Sequence, residues 1–514
     1  MTAGAGAGVG LATDRAAGPT TPGALDAAVE AAAAAYDQGR RVDPDTRAGW
    51  LEAIAAGLEQ DAGGLVETAV RETHLGTARL EGELKRTVFQ LRLFAAEIRQ
   101  GGHFDATIDH EDPAWGMGPR PDLRRYNVPL GVVGVFGASN FPFAFSVMGG
   151  DSASALAAGC AVVHKAHDAH RDLAARTARV VTDALDTAGA PSGLFSMVTG
   201  RQAGEGLVDH PLAKAISFTG STAGGRALLD RIAARPEPIP FFGELGGINA
   251  VFVAPNAWAA RRAEIITGYA GSFTLGMGQF CTKPGLLFVP GGDAAEIRDR
   301  LGKALAGFAP ARLLSDRLHA GYADAVAMLR DSAGVEVLVA GDFAEEPAPT
   351  VLHTTAEEVR KNPHLLRQEM FGPASLVVEY QDQAELPGLA DLLEGQLTTT
   401  LQADEDDDVS ELAARLADIS GRVLWNGWPT GVTVSYAQHH GGPYPATTSN
   451  TTSVGTAAIR RFLRPVAYQS FPATRLPEPL QDSNPWRVPQ RVDGVWQHPA
   501  GRASAGAAGK EGQK

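Results

Sequence analysis

The sequence predicts an α/β protein of two doubly wound parallel α/β domains in succession, and three observations lead there. At 514 residues the chain exceeds what one ordinary core organises, so two or three domains are expected. From Tyr126 onward short apolar runs ("GVVGVFG", "CAVVHK", "LFSMVTG", "AKAISFTG", "NAVFVAP") alternate with helical patterns, which is how strand, helix, strand units read. A second alternation runs from about Gly285 to Thr430 through "GLLFVP", "EVLVAG", "ASLVVEY", "QLTTTLQ" and "GRVLWNGWPTG", placing the domain boundary near Leu245.

The flanking segments follow in order. Residues 1–22 and 501–514 are rich in small residues and read as disordered tails. Over 23–103, "LDAAVEAAAAAYDQG", "PDTRAGWLEAIAAGLEQ" and "RLEGELKRTVFQLRLFAAEIRQG" carry apolar residues at spacings of three and four, so amphipathic helices are expected to cover the first sheet. The acidic run Asp404 to Asp408 reads as a solvated helix start rather than a metal site.

Composition removes several functions. Hydrophobic residues at 44% and charged residues at 20% suit a globular chain with large cores. A net charge of -14, with basic residues clustered only in pairs such as Arg124 and Arg125, argues against a nucleic-acid partner. No run of about 18 apolar residues and no signal-peptide pattern occur, so no membrane partner is expected and the expected location is cytoplasmic. Cys160 and Cys281, the only cysteines, supply neither a disulfide framework nor a zinc site, which suits a reducing cytoplasm and no metal.

Five motifs could carry chemistry, each with a plainer alternative. Gly220 and Ser221 in "SFTGSTAGG" open a helix whose backbone N–H groups could hold a pyrophosphate, or form an ordinary turn. Lys165 ends the strand "CAVVHK", at the ligand edge of a parallel sheet or merely snorkelling. Glu244 in "FFGELGG" is either a general base whose pKa burial raises or a linker glutamate paired with a basic residue. Cys281 in "GQFCTKPG" is a nucleophile or a structural thiol, and a nucleophile would need a helix N-terminus or a cation nearby. Asn140 in "FGASNFPFAF" caps a helix or donates to an oxyanion. Together they fit one mechanism: a thiol attacks a carbonyl, an amide stabilises the oxyanion, the first domain carries a hydride acceptor, and a glutamate activates water.

From about Leu25 to Gln469 the chain resembles the aldehyde dehydrogenase superfamily. "GVFGASNFPFAF", "VVHKAH", "SFTGST", "ELGG", "GQFC", "EMFGP" and "GRVLWNGWPTG" occur in the family's order. The resemblance implies that Cys281 is the nucleophile, Glu244 the general base and Asn140 the oxyanion donor. It further implies that Lys165 binds adenosine ribose, Gly220 and Ser221 the pyrophosphate, and Glu369 and Phe371 the nicotinamide ribose and ring. The implied fold is a Rossmann-like cofactor domain with N-terminal helices (23–103) and a sheet (128–244), then a catalytic domain (245–430). A small β oligomerisation arm joins residues 104–127 to part of 431–500, implying a homodimer or homotetramer.

Within the family, "IPFFGELGGIN", "GQFCTKPG" and "HHGGPYPATTSNTTSVGTAAIRRFLRPVAYQ" look like 2,5-dioxovalerate (α-ketoglutarate semialdehyde) dehydrogenases and related NADP-dependent fatty aldehyde dehydrogenases. Cofactor choice is read both ways: Asp168, three residues after Lys165, disfavours a 2′-phosphate, whereas Arg201 in "TGRQ" is placed to meet one. The balance favours NADP, with NAD the other candidate. Phe141, Ala144, Phe145 and Met148 at helical spacing either line a substrate tunnel on a helix after Asn140 or form ordinary core. A dicarboxylic semialdehyde would need an arginine at the tunnel mouth, for which Arg124 and Arg125 are the candidates. The rivals are a medium- or long-chain fatty aldehyde dehydrogenase, a coenzyme A-dependent acylating dehydrogenase, a cysteine hydrolase, for which no histidine partner is assigned, and a catalytically idle binding protein of the same fold.

Overall fold

Helical periodicity over the first hundred residues becomes four helices, α1 (Pro22–Gly39), α2 (Pro44–Gln60), α3 (Ala62–Thr73) and α4 (Thr77–Gln100), in the computed structural model, which describes residues 18–499. Thr21 and Asp43 cap α1 and α2, each with proline at the first helical position, where a missing N–H costs nothing. The sequence expectation of a tail over 1–22 needs correction at its end. Residues 1–17 lie outside the described residues, as does the expected tail 501–514, but the Thr20 backbone N–H donates to the Thr199 carbonyl at 3.0 Å and Pro22 already belongs to α1. The Thr-Pro cap explains why α1 starts at Pro22.

Two short strands follow, β1 (Ala106–Asp109) and β2 (Leu123–Pro129). Then come β3 (Val132–Phe136), β4 (Ala161–Lys165), β5 (Phe195–Val198), β6 (Ala213–Thr219) and β7 (Phe241–Glu244), interleaved with α5 (Gly150–Ala158), α6 (Arg171–Thr187), α7 (Arg201–Asp209) and α8 (Thr222–Ala233). These strands form one parallel sheet in the order β5-β4-β3-β6-β7. The chain moves outward from β3 in one direction and then returns to its other side, so the carboxyl ends of β3 and β6 flank a topological switch point. Leu51, Ile54 and Leu58 of α2 and Leu91 and Phe94 of α4 share a continuous core with Val133 and Val162 of this sheet.

The chain crosses to a second sheet between β7 and β8 (Ala250–Val253). The long helix α9 (Pro255–Thr274) leads to β9 (Leu286–Pro290), β10 (Glu336–Val339), β11 (Thr350–Thr355), β12 (Ala374–Tyr380), β13 (Thr399–Gln402) and β14 (Val423–Trp425), in the order β10-β11-β12-β9-β8-β13-β14. All neighbours are parallel except β10 and β11, so this sheet carries one antiparallel edge that the sequence pattern did not announce. Alternate residues serve two cores: Phe252, Phe288 and Leu376 face one, Val251, Leu287 and Val377 the other, and burial on both faces explains the near-continuous apolar runs.

The last strands, β15 (Leu463–Gln469), β16 (Gln490–Val492) and β17 (Val495–Gln497), join β1 and β2 in a five-stranded sheet ordered β15-β2-β1-β16-β17. Arg124 and Arg125 belong here and not to a tunnel: Arg124 is buried against Asp122 and Asp482, and Arg125 pairs with Asp105 at 2.9 Å. Among the described residues no helix is long and apolar enough to cross a membrane.

Candidate active site

Cys281 sits on a loop that glycine makes possible. After α9 the backbone turns through Gly276, Met277 and Gly278 with φ of 57°, 59° and 66°, and a Cβ at Gly278 would stand 2.0 Å from the Gly372 carbonyl oxygen. Asn249 ties the loop down, its side-chain amide donating to the carbonyls of Cys281 (2.8 Å) and Lys283 (3.1 Å). Lys283 in turn donates from Nζ to the carbonyls of Met370 and Ala374, both at 2.7 Å, which fixes the "EMFGP" segment against the thiol loop. No helix begins at Cys281, so a helix N-terminus does not activate it.

What does stand beside it is His440. Its Nε2 lies 3.7 Å from Cys281 Sγ and 3.0 Å from Glu244 Oε1, and the three reactive atoms all fall within 4.8 Å of one another. Glu244 Oε2 accepts from Ser453 Oγ at 2.9 Å, and both Glu244 and His440 are buried. Burial works to raise the Glu244 pKa, but His440, the Ser453 hydroxyl and more distant Arg461 outweigh it, and the carboxyl falls below its ordinary value. The sequence expectation of a raised pKa is thus corrected: the setting is apolar, yet the carboxylate is hydrogen-bonded on both oxygens. Burial, then the adjacent Glu244 charge, pushes the Cys281 thiol well above its ordinary value, so it is a thiol at rest.

Asn140 follows β3, with its side-chain amide donating to the Gln279 carbonyl at 3.1 Å, two residues before the thiol. That leaves one amide N–H for another acceptor. The following residues are not a helix: Pro142 interrupts the pattern, Glu83 Oε1 instead collects the N–H groups of Phe143 and Ala144 at 2.8 and 2.9 Å, and α5 starts only at Gly150. Phe141 and Phe145 still meet at 5.4 Å between ring centroids, and Phe141 meets Phe280 at 5.2 Å. Met148 does not join them and lies buried in the core beneath the first sheet, as Ala144 is also buried.

The residues of the first sheet expected to hold a cofactor share one edge with Glu244. Lys165 ends β4, Gly220 and Ser221 follow β6, and Glu244 ends β7. Ser221 caps α8 through Gly224 N–H at 3.2 Å, leaving a helix N-terminus open at the switch-point edge. Gly225 packs so closely on Leu245 that a Cβ would stand 2.0 Å from its side chain, and at Gly246, φ 113°, a Cβ would press on the Glu369 carboxylate at 2.9 Å. Neither position has room for a side chain, which brings the backbone after β7 close to both α8 and Glu369. Burial lifts the Glu369 carboxyl to about 7, against the pull of Lys283, whose ammonium burial lowers to about 8. Phe371 is half-buried beside it. Asp168 is held by Arg171 at 2.7 Å and lies 4.0 Å from Lys165 Nζ, whereas Arg201 is 90% exposed in the first turn of α7, touching only Glu205 at 2.8 Å among the described residues. A Cβ at Gly204 of α7 would lie 3.4 Å from the Lys165 stem, so Arg201 and Lys165 come from adjoining elements.

The family model for the aldehyde dehydrogenase family matches residues 19–464. Alpha-ketoglutaric semialdehyde dehydrogenase 2 of Azospirillum brasilense is 45% identical over 480 residues, covering 91% of this chain and 91% of the relative. Alpha-ketoglutaric semialdehyde dehydrogenase of Acinetobacter baylyi is 42% identical over 481 residues, 92% and 91% respectively. Among solved structures, a mutant aldehyde dehydrogenase C of Pseudomonas syringae in complex with NAD+ and octanal superposes with a TM-score of 0.74 at 20% identity, over 89% of this chain and 90% of that one. The longer proline utilization A chain of Bradyrhizobium japonicum gives a TM-score of 0.75 at 23% identity over 88% of this chain, which spans 46% of its length.

Proposed function

Because the chain belongs to the aldehyde dehydrogenase family, an NAD(P)-dependent class of oxidoreductases acting on aldehydes, we propose that it oxidises 2,5-dioxovalerate to 2-oxoglutarate through a thioester on Cys281. The observation that carries the chemistry is the Cys281, His440 and Glu244 cluster. The substrate reading is supported by two relatives, at 45% and 42% identity, that are named for that semialdehyde.

His440 accepts the Cys281 proton in the tautomer that leaves Nε2 unprotonated, in which Glu244 Oε1 lacks the ring donor, and the Nε2–H so formed then donates to the Glu244 carboxylate. The thiolate adds to the aldehyde carbon. The resulting alkoxide is met by the free Asn140 amide N–H and the Cys281 backbone N–H, and each such donor is worth roughly 10²- to 10³-fold in rate. NAD(P), when bound, would supply the hydride acceptor, and Lys165, the α8 N-terminus with Gly220 and Ser221, Glu369 and Phe371 would hold it. Loss of hydride from the adduct leaves a thioester on Cys281. After the thiol's proton has passed from His440 to solvent, Glu244 takes a proton from water, which attacks the thioester carbon; the C–S bond breaks, Cys281 leaves as thiolate and the acid is released.

Arg201 and Lys165 favour NADP, since Asp168 is already neutralised by Arg171 and repels a 2′-phosphate weakly. Replacing Arg201 by alanine is expected to lower kcat/KM for NADP roughly tenfold, with a smaller change for NAD; steady-state kinetics with both cofactors check this. Exposed Phe471, Val495 and Trp496 on the five-stranded arm support its use as a homodimer or homotetramer interface. Two free thiols support a reducing, cytoplasmic setting.

The function itself is tested by cofactor reduction across an aldehyde panel. The highest kcat/KM on 2,5-dioxovalerate is expected, whereas a preference for long straight-chain aldehydes points to the fatty aldehyde alternative. Product formation without cofactor points to the hydrolase.

A further inference from the structure

Resting on the 2,5-dioxovalerate reading, the site must meet a carboxylate at the end of the substrate remote from the aldehyde. Arg124 and Arg125 are consumed in the arm, but two other guanidinium groups reach the rings of Phe141, Phe145 and Phe280 from α4. Arg79 Cζ stands 4.7 Å from the Phe280 centroid and 5.3 Å from that of Phe141, and Arg86 Cζ stands 5.6 Å from that of Phe145. Phe280 precedes the nucleophile, and the Phe145 ring lies 6.1 Å from the His440 ring, so each cation is one ring away from the reacting atoms.

Both guanidinium groups are incompletely satisfied. Arg79 donates from Nη2 to the Asn140 carbonyl at 2.7 Å, but its Nε and Nη1 are buried without a hydrogen-bond partner among the described residues. Arg86 donates from Nε to the Val432 carbonyl at 3.4 Å, and its Nη1 is likewise buried and unpartnered. Glu83, between them on the same helix face, spends Oε1 on the backbone of Phe143 and Ala144. A buried N–H left unmade is costly, and a guanidinium fork matches a carboxylate with two parallel hydrogen bonds. The field of Arg86 also reaches Cys281 and Glu244, consistent with its nearness to the reacting atoms.

We propose that Arg79 and Arg86 form a carboxylate-binding subsite that selects oxo-acid semialdehydes over neutral aldehydes. The aromatic rings hold the chain between, Arg86 binds the carboxylate, and Arg79 both shares it and positions Asn140.

The test compares kcat/KM for 2,5-dioxovalerate and pentanal in the wild type, R86Q, R86K and R79Q. R86Q is expected to lose roughly 10²-fold more on 2,5-dioxovalerate than on pentanal, mainly through KM. R86K, which keeps the charge and the packed stem, is expected to recover part of that difference and carries the test should R86Q fail to fold. R79Q is expected to lower kcat on both substrates while raising KM selectively for the oxo-acid. Equal losses on both substrates in R86Q and R86K, or no loss, overturn the subsite. A wild type that prefers pentanal overturns the substrate reading instead, so the two failures are distinguishable.

Discussion

The Glu244→Gln protein is expected to give one equivalent of reduced cofactor per active site in a burst and then almost stop. Hydride leaves the Cys281 adduct without help from a base, so the burst persists. Water attack on the thioester does need one, and removing a positioned base costs roughly 10²- to 10⁴-fold. The amide retains the shape and the Ser453 contact, while the carboxylate that holds the His440 imidazolium is lost, so a slower burst is also expected. Rapid-mixing absorbance with either cofactor reads both phases. Unchanged steady-state turnover that depends on added coenzyme A is the signature of the acylating alternative.

His440→Gln has the next largest effect, and it falls on the first phase. Burial and the Glu244 charge hold the Cys281 thiol protonated well above its ordinary pKa. Without the imidazole at 3.7 Å the thiolate forms only as pH approaches that raised value. The sign follows: the burst rate of His440→Gln drops roughly 10²-fold or more near neutral pH and climbs as pH rises, with its midpoint above that of the wild type. Burst rates across an alkaline series check this, and a variant with the wild-type profile removes His440 from thiol activation.

These two variants also mark what could and could not be read in the chain. Cys281, Glu244 and Asn140 are recognisable because each sits in a short local pattern of strand end, glycine and polar residue, and the fold brings them together. His440 was invisible as a partner although "HHGG" is conspicuous, because the contact spans 159 residues to Cys281 and 196 to Glu244, and no periodicity encodes it. The Glu244 pKa was misjudged for the same reason, since His440 and Ser453 arrive from a distant segment. Arg79, Glu83 and Arg86 read as the wet face of an amphipathic helix; only the non-helical turn after Pro142, packed on that face, makes it an interior wall. The same turn separates Met148 from Phe141 and Phe145, which spacing alone had grouped on one stripe. The sheets were legible because their strands are buried on both faces, whereas the antiparallel β10 edge leaves no such trace.

The central claim is a covalent acyl group on Cys281, and intact mass spectrometry of protein quenched during turnover of 2,5-dioxovalerate with NADP tests it most directly. The expected result is a single added acyl mass, mapped to the peptide containing Cys281, accumulating in Glu244→Gln and absent from Cys281→Ala. Continued cofactor reduction by Cys281→Ala, or an acyl group mapped elsewhere, contradicts the account.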